Sequence, residues 1–280
     1  TLHSIMLETV GLRPEEYLIS DDNFWNVELP LKAIDTLLEN SGSKDYKFEE
    51  IIVDEAQDML KSAYLDFMDL ILNGGLAAGR WRFFGDFEKQ NIFNPGYITL
   101  EVFLEKRGQQ PPVCALRENC RNTPRIAEYA KQLGGLDPFY NKILRPDDHI
   151  DPEFRYYGNM TEQKRKVVEF ISSLLQDGFK LNDIRLLSTK KDSCAQLLAE
   201  DIEWKNRFSP AEKAVAGCAE FCTVHAFKGL EAPVIILTDI EQLNSQNRQD
   251  IFYIGVTRAL QRLAIFVSSN AKKDIDKIML

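Results

Sequence analysis

From about Phe48 to its end the chain alternates short β-branched or aromatic runs with amphipathic runs of helix length. That rhythm is the mark of an α/β fold. It predicts strands over 50–53, 80–84, 113–116, 154–157, 184–188, 221–224, 234–237 and 263–267. Helices are expected over 61–72, 98–107, 123–133, 162–175, 193–202, 249–257 and 272–278. In the fourth of these, Val167, Val168, Ile171, Leu174 and Leu175 recur at helical spacing, with Thr161 as the expected N-cap. Before Phe48 the one clear amphipathic stretch is 31–38. Residues 108–112, polar and Pro-containing, read as a linker, and 134–152, rich in Pro, Asp and Gly, as a long surface loop.

The 280 residues allow one or two domains, and 44% hydrophobic with 28% charged residues is a globular balance. No apolar run approaches the roughly 18 residues of a membrane span, and the chain opens at Thr1 without a signal-peptide pattern. The net charge of −9 argues against coating nucleic acid by bulk charge, though a local basic groove needs only a patch. Five cysteines and three histidines fit no zinc spacing. Cys218 and Cys222 can pair with each other or a metal, but reduced thiols in the cytoplasm are the simpler reading.

Five segments carry chemistry. Ile51-Ile52-Val53-Asp54-Glu55-Ala56-Gln57-Asp58 is an apolar strand ending in two carboxylates, where the crevice of such a sheet opens. Asp54 can hold Mg²⁺ there, and Glu55 can orient and deprotonate a water attacking a phosphoryl group. In the run from Phe83 to Phe93, a strand meets a Gly turn followed by an amide, Gln90, and an aromatic, Phe93. The amide can report on a phosphate and the ring can stack on a base, but a plain turn with core aromatics looks the same. In Leu116-Arg117-Glu118-Asn119-Cys120-Arg121-Asn122-Thr123, Arg121 precedes a helix start and can act as a finger on a γ-phosphate, or be an ordinary surface arginine. Thr223-Val224-His225-Ala226-Phe227-Lys228-Gly229-Leu230-Glu231 sets a charge, a flexible backbone and an acid in one turn, as a charged hairpin also would. Tyr253-Ile254-Gly255-Val256-Thr257-Arg258-Ala259-Leu260 puts one arginine at the end of an apolar helix, where it pairs with an acid or faces a cleft.

In this order the five segments resemble motifs II to VI of the superfamily 1 DNA helicases of the UvrD/Rep/PcrA type. The resemblance covers most of the chain, from Phe48 to Val267. It implies two RecA-like units of the P-loop NTPase architecture, an incomplete one over 1–107 and a nearly complete one over 108–280, with ATP in the cleft between them. Asp54 would coordinate Mg²⁺ and Glu55 would be the catalytic base. Gln90 would sense the γ-phosphate, and Arg121 and Arg258 would be arginine fingers. Glu231 would contact the ribose, with Gly229 in the same nucleotide site. Thr223 and His225 would touch DNA, and Phe93 would stack on its bases. ATP and Mg²⁺ are the implied cofactors. Single-stranded DNA and duplex–single-strand junctions are the implied partners, and DNA repair the implied setting, in the cytoplasm.

The sequence also departs from that family. Three residues, Phe87, Glu88 and Lys89, separate Asp86 from Gln90, where the family usually has two. Cys120 stands where the family's motif IV has a Tyr that stacks on adenine. Only about a hundred residues join Arg121 to Thr223, too few for the large 2B insertion. No Gly-x-x-x-x-Gly-Lys-Ser/Thr loop occurs, and only 53 residues precede Asp54, far fewer than the family places between its P-loop and motif II. The expectation is the C-terminal part of a longer helicase, inactive alone. The rivals are a non-hydrolysing nucleic-acid-binding or protein-docking remnant, and a related RNA helicase.

Overall fold

The computed structural model describes residues 1–13, 21–39, 47–87, 89, 98–106, 111–243 and 245–279. They form two compact units, Thr1–Cys114 and Ala115–Leu280.

The first unit is mostly helical. It runs through α1 (Leu2–Val10), a π-helical turn (Phe24–Glu28), α2 (Leu29–Glu39), β1 (Glu50–Val53), α3 (Ser62–Ile71), α4 (Gly75–Ala78), β2 (Arg80–Phe83) and α5 (Leu100–Lys106). Strands β1 and β2 pair in parallel, Ile51 opposite Trp81 and Val53 opposite Phe83. Side chains alternate across a strand, so these four share one face. They pack onto Tyr64, Phe67, Met68 and Phe103 from α3 and α5, and Phe83 stacks on Phe103. The other face carries Glu50, Ile52, Arg80 and Arg82; Arg82 pairs with Glu50 and Ile52 is 62% exposed.

The second unit is built on six parallel strands, in the order β5-β10-β9-β6-β8-β7. Its elements are β3 (Glu118–Asn119), α6 (Pro124–Gln132), β4 (Lys142–Ile143), β5 (Glu153–Tyr157), α7 (Met160–Gln176), β6 (Ile184–Ser188), α8 (Cys194–Glu200), β7 (Phe208–Pro210), β8 (Ala219–Thr223), β9 (Ala232–Ile240), α9 (Gln246–Thr257), β10 (Ala259–Ser268) and α10 (Lys272–Met279). Strands covered on both faces read as unbroken apolar runs. Val234, Ile235, Ile236 and Leu237 of β9 are all fully buried, as are Ala264–Val267 of β10. One face packs on Val167, Phe170, Ile171 and Leu174 of α7 and on Ala195 and Leu198 of α8. Helix α9 comes so close to β9 that a Cβ on Gly255 would lie 2.9 Å from the Leu237 side chain.

The α/β class is as expected, and the sheet is the all-parallel one that a RecA-like unit needs. Several local expectations are corrected. Residues 113–116 form no strand: they pair with nothing among the described residues, and Leu116 is 86% exposed. Helix α1 has no counterpart among the expected elements. The N-cap of α7 is Asn159 rather than Thr161, because Asn159 accepts the Glu162 amide while the Glu162 carboxylate accepts the Gly158 amide. All five cysteines are free thiols, and no metal-holding cluster of His, Cys, Asp and Glu occurs among the described residues. No helix there is long and apolar enough to cross a membrane.

A buried carboxylate ties this sheet to its helices. Asp239, 1% exposed and in the left-handed region at φ 62°, accepts hydrogen bonds from Gln163 Nε2 (2.7 Å), Ser188 Oγ (2.8 Å), Thr238 Oγ1 (2.8 Å) and the Cys194 amide (3.2 Å). Burial, with the Asp239 charge second, pushes the Cys194 thiol up to about 12. Asp239→Asn turns an acceptor oxygen into a donor that faces other donors. It is expected to lower stability by about 1–3 kcal/mol in urea unfolding. An unchanged midpoint would show that the network carries no net stability.

Candidate nucleotide and nucleic-acid site

In the first unit the chemistry sits where β1 ends. Asp54 is exposed; its Oδ1 accepts the Glu55 amide at 3.0 Å, and Oδ2 has no hydrogen-bond partner among the described residues. Glu55 lies in the left-handed region at φ 51°, which turns the chain sharply after the strand. Its Oε2 accepts from Gln57 Nε2 at 2.5 Å. Gln57 is fully buried, and its Oε1 accepts the Asp86 amide at 3.1 Å. The turn is also bound through its backbone, Ala56 N to Phe84 O at 2.8 Å. Gly85 leaves room for the Gln57 amide: a Cβ there would lie 2.3 Å from Gln57 Oε1 and displace it. The segments at the ends of β1 and β2 are thus joined through one buried amide. Gln90 and Phe93 lie outside the described residues.

In the second unit, Arg121, Glu231 and Arg258 come together. Ala232 and Ala259 are register partners at the starts of β9 and β10, so Glu231 and Arg258, one residue earlier on each strand, sit at the same edge of the sheet. Arg121 donates from Nε to Glu231 Oε2 at 2.6 Å. Their side chains are 35% and 48% exposed, so the pair contributes no more than about 1 kcal/mol. Arg258 is 2% exposed. Nε donates to the Ile254 carbonyl (3.0 Å), Nη1 to the Leu230 carbonyl (3.4 Å) and Nη2 to Thr257 Oγ1 (3.3 Å). It braces the Leu230–Glu231 turn against the end of α9. Gly229 precedes that turn at φ 81°, and Cys120 is exposed beside Arg121.

Thr223 and His225 belong to the opposite edge. Thr223 ends β8 level with Ser188, the last residue of β6. The Thr223 hydroxyl accepts the Ala226 amide at 3.3 Å. The segment from Val224 to Glu231 crosses from this edge back to the other, pinned by buried Val224 and Phe227. Sequence reading passed over Gln57, Asn119 and Asn122. All three lie inside segments it singled out, and a polar residue flanking a chemical one was the available signal.

Partial desolvation first, and the nearby Lys228 charge second, hold His225 below its ordinary value of 6.5. The unfolded chain therefore binds the proton more readily, and stability rises with pH through this range. This contribution is complete above the ordinary value and is lost as pH falls through it. Stability should decline from about pH 7 to about pH 5, with His3, also held low by burial, adding to the slope, and His225→Gln should make it shallower. Chemical unfolding at several pH values measures it; an unaltered slope would mean that His225 is not the group responsible.

Residues 219–266, which hold Thr223, His225, Gly229, Glu231 and Arg258, match the sequence model of the UvrD-like helicase C-terminal domain. Comparison with curated protein sequences finds no match. Among solved structures, the C-terminal domain of a possible DNA helicase from Lactobacillus plantarum WCFS1 aligns at 14% identity and a TM-score of 0.44, over 57% of this chain and 93% of that one. The PRRSV helicase aligns at 13% identity and a TM-score of 0.39, over 78% of this chain and 34% of that one. Over residues 219–266 the second unit is thus similar to UvrD-like helicase C-terminal domains.

Proposed function

We propose that this chain is the portion of an ATP-dependent DNA helicase that carries motifs II to VI, and that ATP hydrolysis in the longer protein drives movement along single-stranded DNA and duplex unwinding. The observation that carries this reading is the convergence of motifs IV, V and VI at one sheet edge, where Arg121 bonds Glu231 across 110 residues of sequence and Asn122 bonds the carbonyls on both sides of Arg258. The sheet register alone brings Glu231 and Arg258 together; the Arg121 bond to Glu231 is the contact that the sheet does not dictate.

Each residue then has a task. Asp54 fits Mg²⁺ of the kind held by one carboxylate together with substrate phosphates, since it is exposed with one oxygen uncommitted among the described residues. Mg²⁺ bound there neutralises phosphate charge. Glu55, aimed by Gln57, takes the proton of the attacking water. Arg121 meets the charge that grows on the transferred phosphoryl group, releasing Glu231 to the ribose. Arg258 reaches phosphate only by giving up its carbonyl partners; as folded, it holds the Glu231 turn. Gln90 links the phosphate to bound DNA, and Phe93 stacks on a base. Thr223 and His225 contact the strand, including at duplex–single-strand junctions. Free thiols at all five cysteines suit a reducing cytoplasm.

Phosphate release from ATP, with single-stranded DNA present, tests the reading. The 280-residue chain should be inactive, because without a P-loop nothing cradles the β- and γ-phosphates. The longer protein should turn over ATP. Its Glu55→Gln variant should bind nucleotide and lose turnover, since an amide keeps the shape but cannot accept the proton. Turnover by the chain alone, or a fully active Glu55→Gln variant, would defeat the assignment.

Nucleotide choice gives a second check. Cys120 offers no ring to stack on adenine, and Arg121 and Glu231 do not read the base. GTP should therefore compete with ATP within about a hundredfold, a gap of roughly 2.7 kcal/mol. A larger preference for ATP would place the adenine reader elsewhere in the longer protein.

A further inference from the structure

Asn119 and Asn122 flank Cys120 and Arg121, and both are buried, 6% and 1% exposed. Their amides are almost wholly committed. Asn119 Oδ1 accepts the backbone amides of Arg121 and Asn122, both at 2.9 Å. Asn119 Nδ2 donates to Asn122 Oδ1 at 3.1 Å. Asn122 Nδ2 sends its two hydrogens to the carbonyls of Thr257 (3.1 Å) and Ala259 (2.7 Å). The environment dictates both orientations: a flipped Asn122 would set its oxygen against two carbonyl oxygens, and a flipped Asn119 would face two N–H donors with its own.

The partners of Asn122 are the residues immediately before and after Arg258, at the junction between the last turn of α9 and the first residue of β10. The carbonyls that end a helix have no partner within it, so the Thr257 carbonyl needs a donor from outside. Holding the carbonyls on both sides fixes the backbone that carries Arg258. The partner of Asn119 is the amide of Arg121 itself, and the Arg121 carbonyl accepts from Arg145 Nη1 at 3.0 Å. The chain of bonds therefore runs from the backbone of one arginine to the backbone around the other through two side chains alone.

We propose that Asn119 and Asn122 are positioning residues that lock the Arg121 turn to the Arg258 turn, so that both arginines move as one body when the site engages phosphate. The lock is a structural claim about this chain; its use in hydrolysis rests on the nucleotide reading above. Neither asparagine touches the reacting atoms. A misplacement of about 1 Å at a charged group can cost about a hundredfold in rate, which is what such a lock prevents.

Two measurements separate the lock from its use. In the 280-residue chain, hydrogen exchange should show the Arg121 and Asn122 amides protected, and Asn119→Ala should speed exchange at those two by about tenfold or more while the β9 amides stay protected. Unprotected amides, or no change on substitution, would overturn the lock. In the longer protein, Asn122→Ala should lower kcat by about tenfold or more with the KM for ATP little changed, and Asn122→Ser, which keeps one donor, should recover part of the loss. Asn119 holds the Arg121 amide, so Asn119→Ala should lower kcat likewise in the longer protein and cost little more in an Arg121→Ala background, where the arginine it positions is gone. The same cost in both backgrounds would make the asparagines structural only and overturn the positioning role. If the unmodified longer protein hydrolyses no ATP, the nucleotide reading fails, and the exchange result alone decides the lock.

Discussion

All six strands of the second unit's main sheet run in one direction, and this constraint sets where Thr223, Glu231 and Arg258 can be. A parallel sheet has one edge where strands begin and another where they end, and each connection must travel between them. Residues just before β9 and β10 are neighbours because Ala232 and Ala259 are in register. Glu231 and Arg258 inherit that adjacency from the backbone. Residues at the end of β8, Thr223 above all, are held at the far edge by the same geometry. Within this unit, Glu231 and Arg258, expected at the nucleotide, and Thr223, expected at DNA, thus lie at opposite edges of one sheet. Within the second unit, the short crossing from Val224 to Glu231 holds members of both groups, His225 near one end and Gly229 and Glu231 at the other. Val224 and Phe227, both buried, give that crossing a fixed path through the packed layer.

The first unit solves a similar problem with fewer strands. Two short parallel strands end side by side, and the turn after β1 must present two carboxylates without losing its own backbone partners. Glu55 in the left-handed region turns the chain, and Gln57 then fills the space behind it. Its amide satisfies a carboxylate on one side and the Asp86 amide on the other, so the buried group leaves neither nitrogen nor oxygen idle. Gly85 follows as a consequence, because the Gln57 oxygen already occupies the volume where a Cβ would stand.

What was legible in the sequence was whatever burial alone decides. The bounds of β1 and β6 agree with expectation, since an apolar run between turn signals has few other places to go. The run over 113–116 is equally apolar, yet it forms no strand, because a strand needs a neighbour and composition cannot supply one. The cap of α7 moved from Thr161 to Asn159 because the Glu162 carboxylate bonds back to Gly158, a reciprocal arrangement that apolar spacing does not reveal. Individual chemical residues stood out by type: Asp54, Glu55, Arg121, Glu231 and Arg258. The residues that hold them did not, because Asn119, Asn122 and Gln57 are ordinary polar side chains until the fold buries them. Asp239 lies past the expected strand over 234–237 and nothing in the sequence marks it, because its four donors come from three other segments and its own neighbour.

The contrast between the two arginines is the last consequence. Arg258 has been withdrawn from water and paired with carbonyls, so exposing its guanidinium means leaving those acceptors without a donor. Arg121 is partly exposed, and its partner Glu231 is itself about half exposed. Such a pair is worth little net, because water screens both charges and competes for both groups. A polyphosphate presents more charge and more acceptor oxygens to a guanidinium than one carboxylate does, and a guanidinium suits paired contacts of that kind. In the nucleotide reading proposed above, Glu231 is a partner that phosphate displaces at low cost, while Asn119 holds the Arg121 amide. A weak pair on a rigid base lets the charge change partners without the fold changing shape.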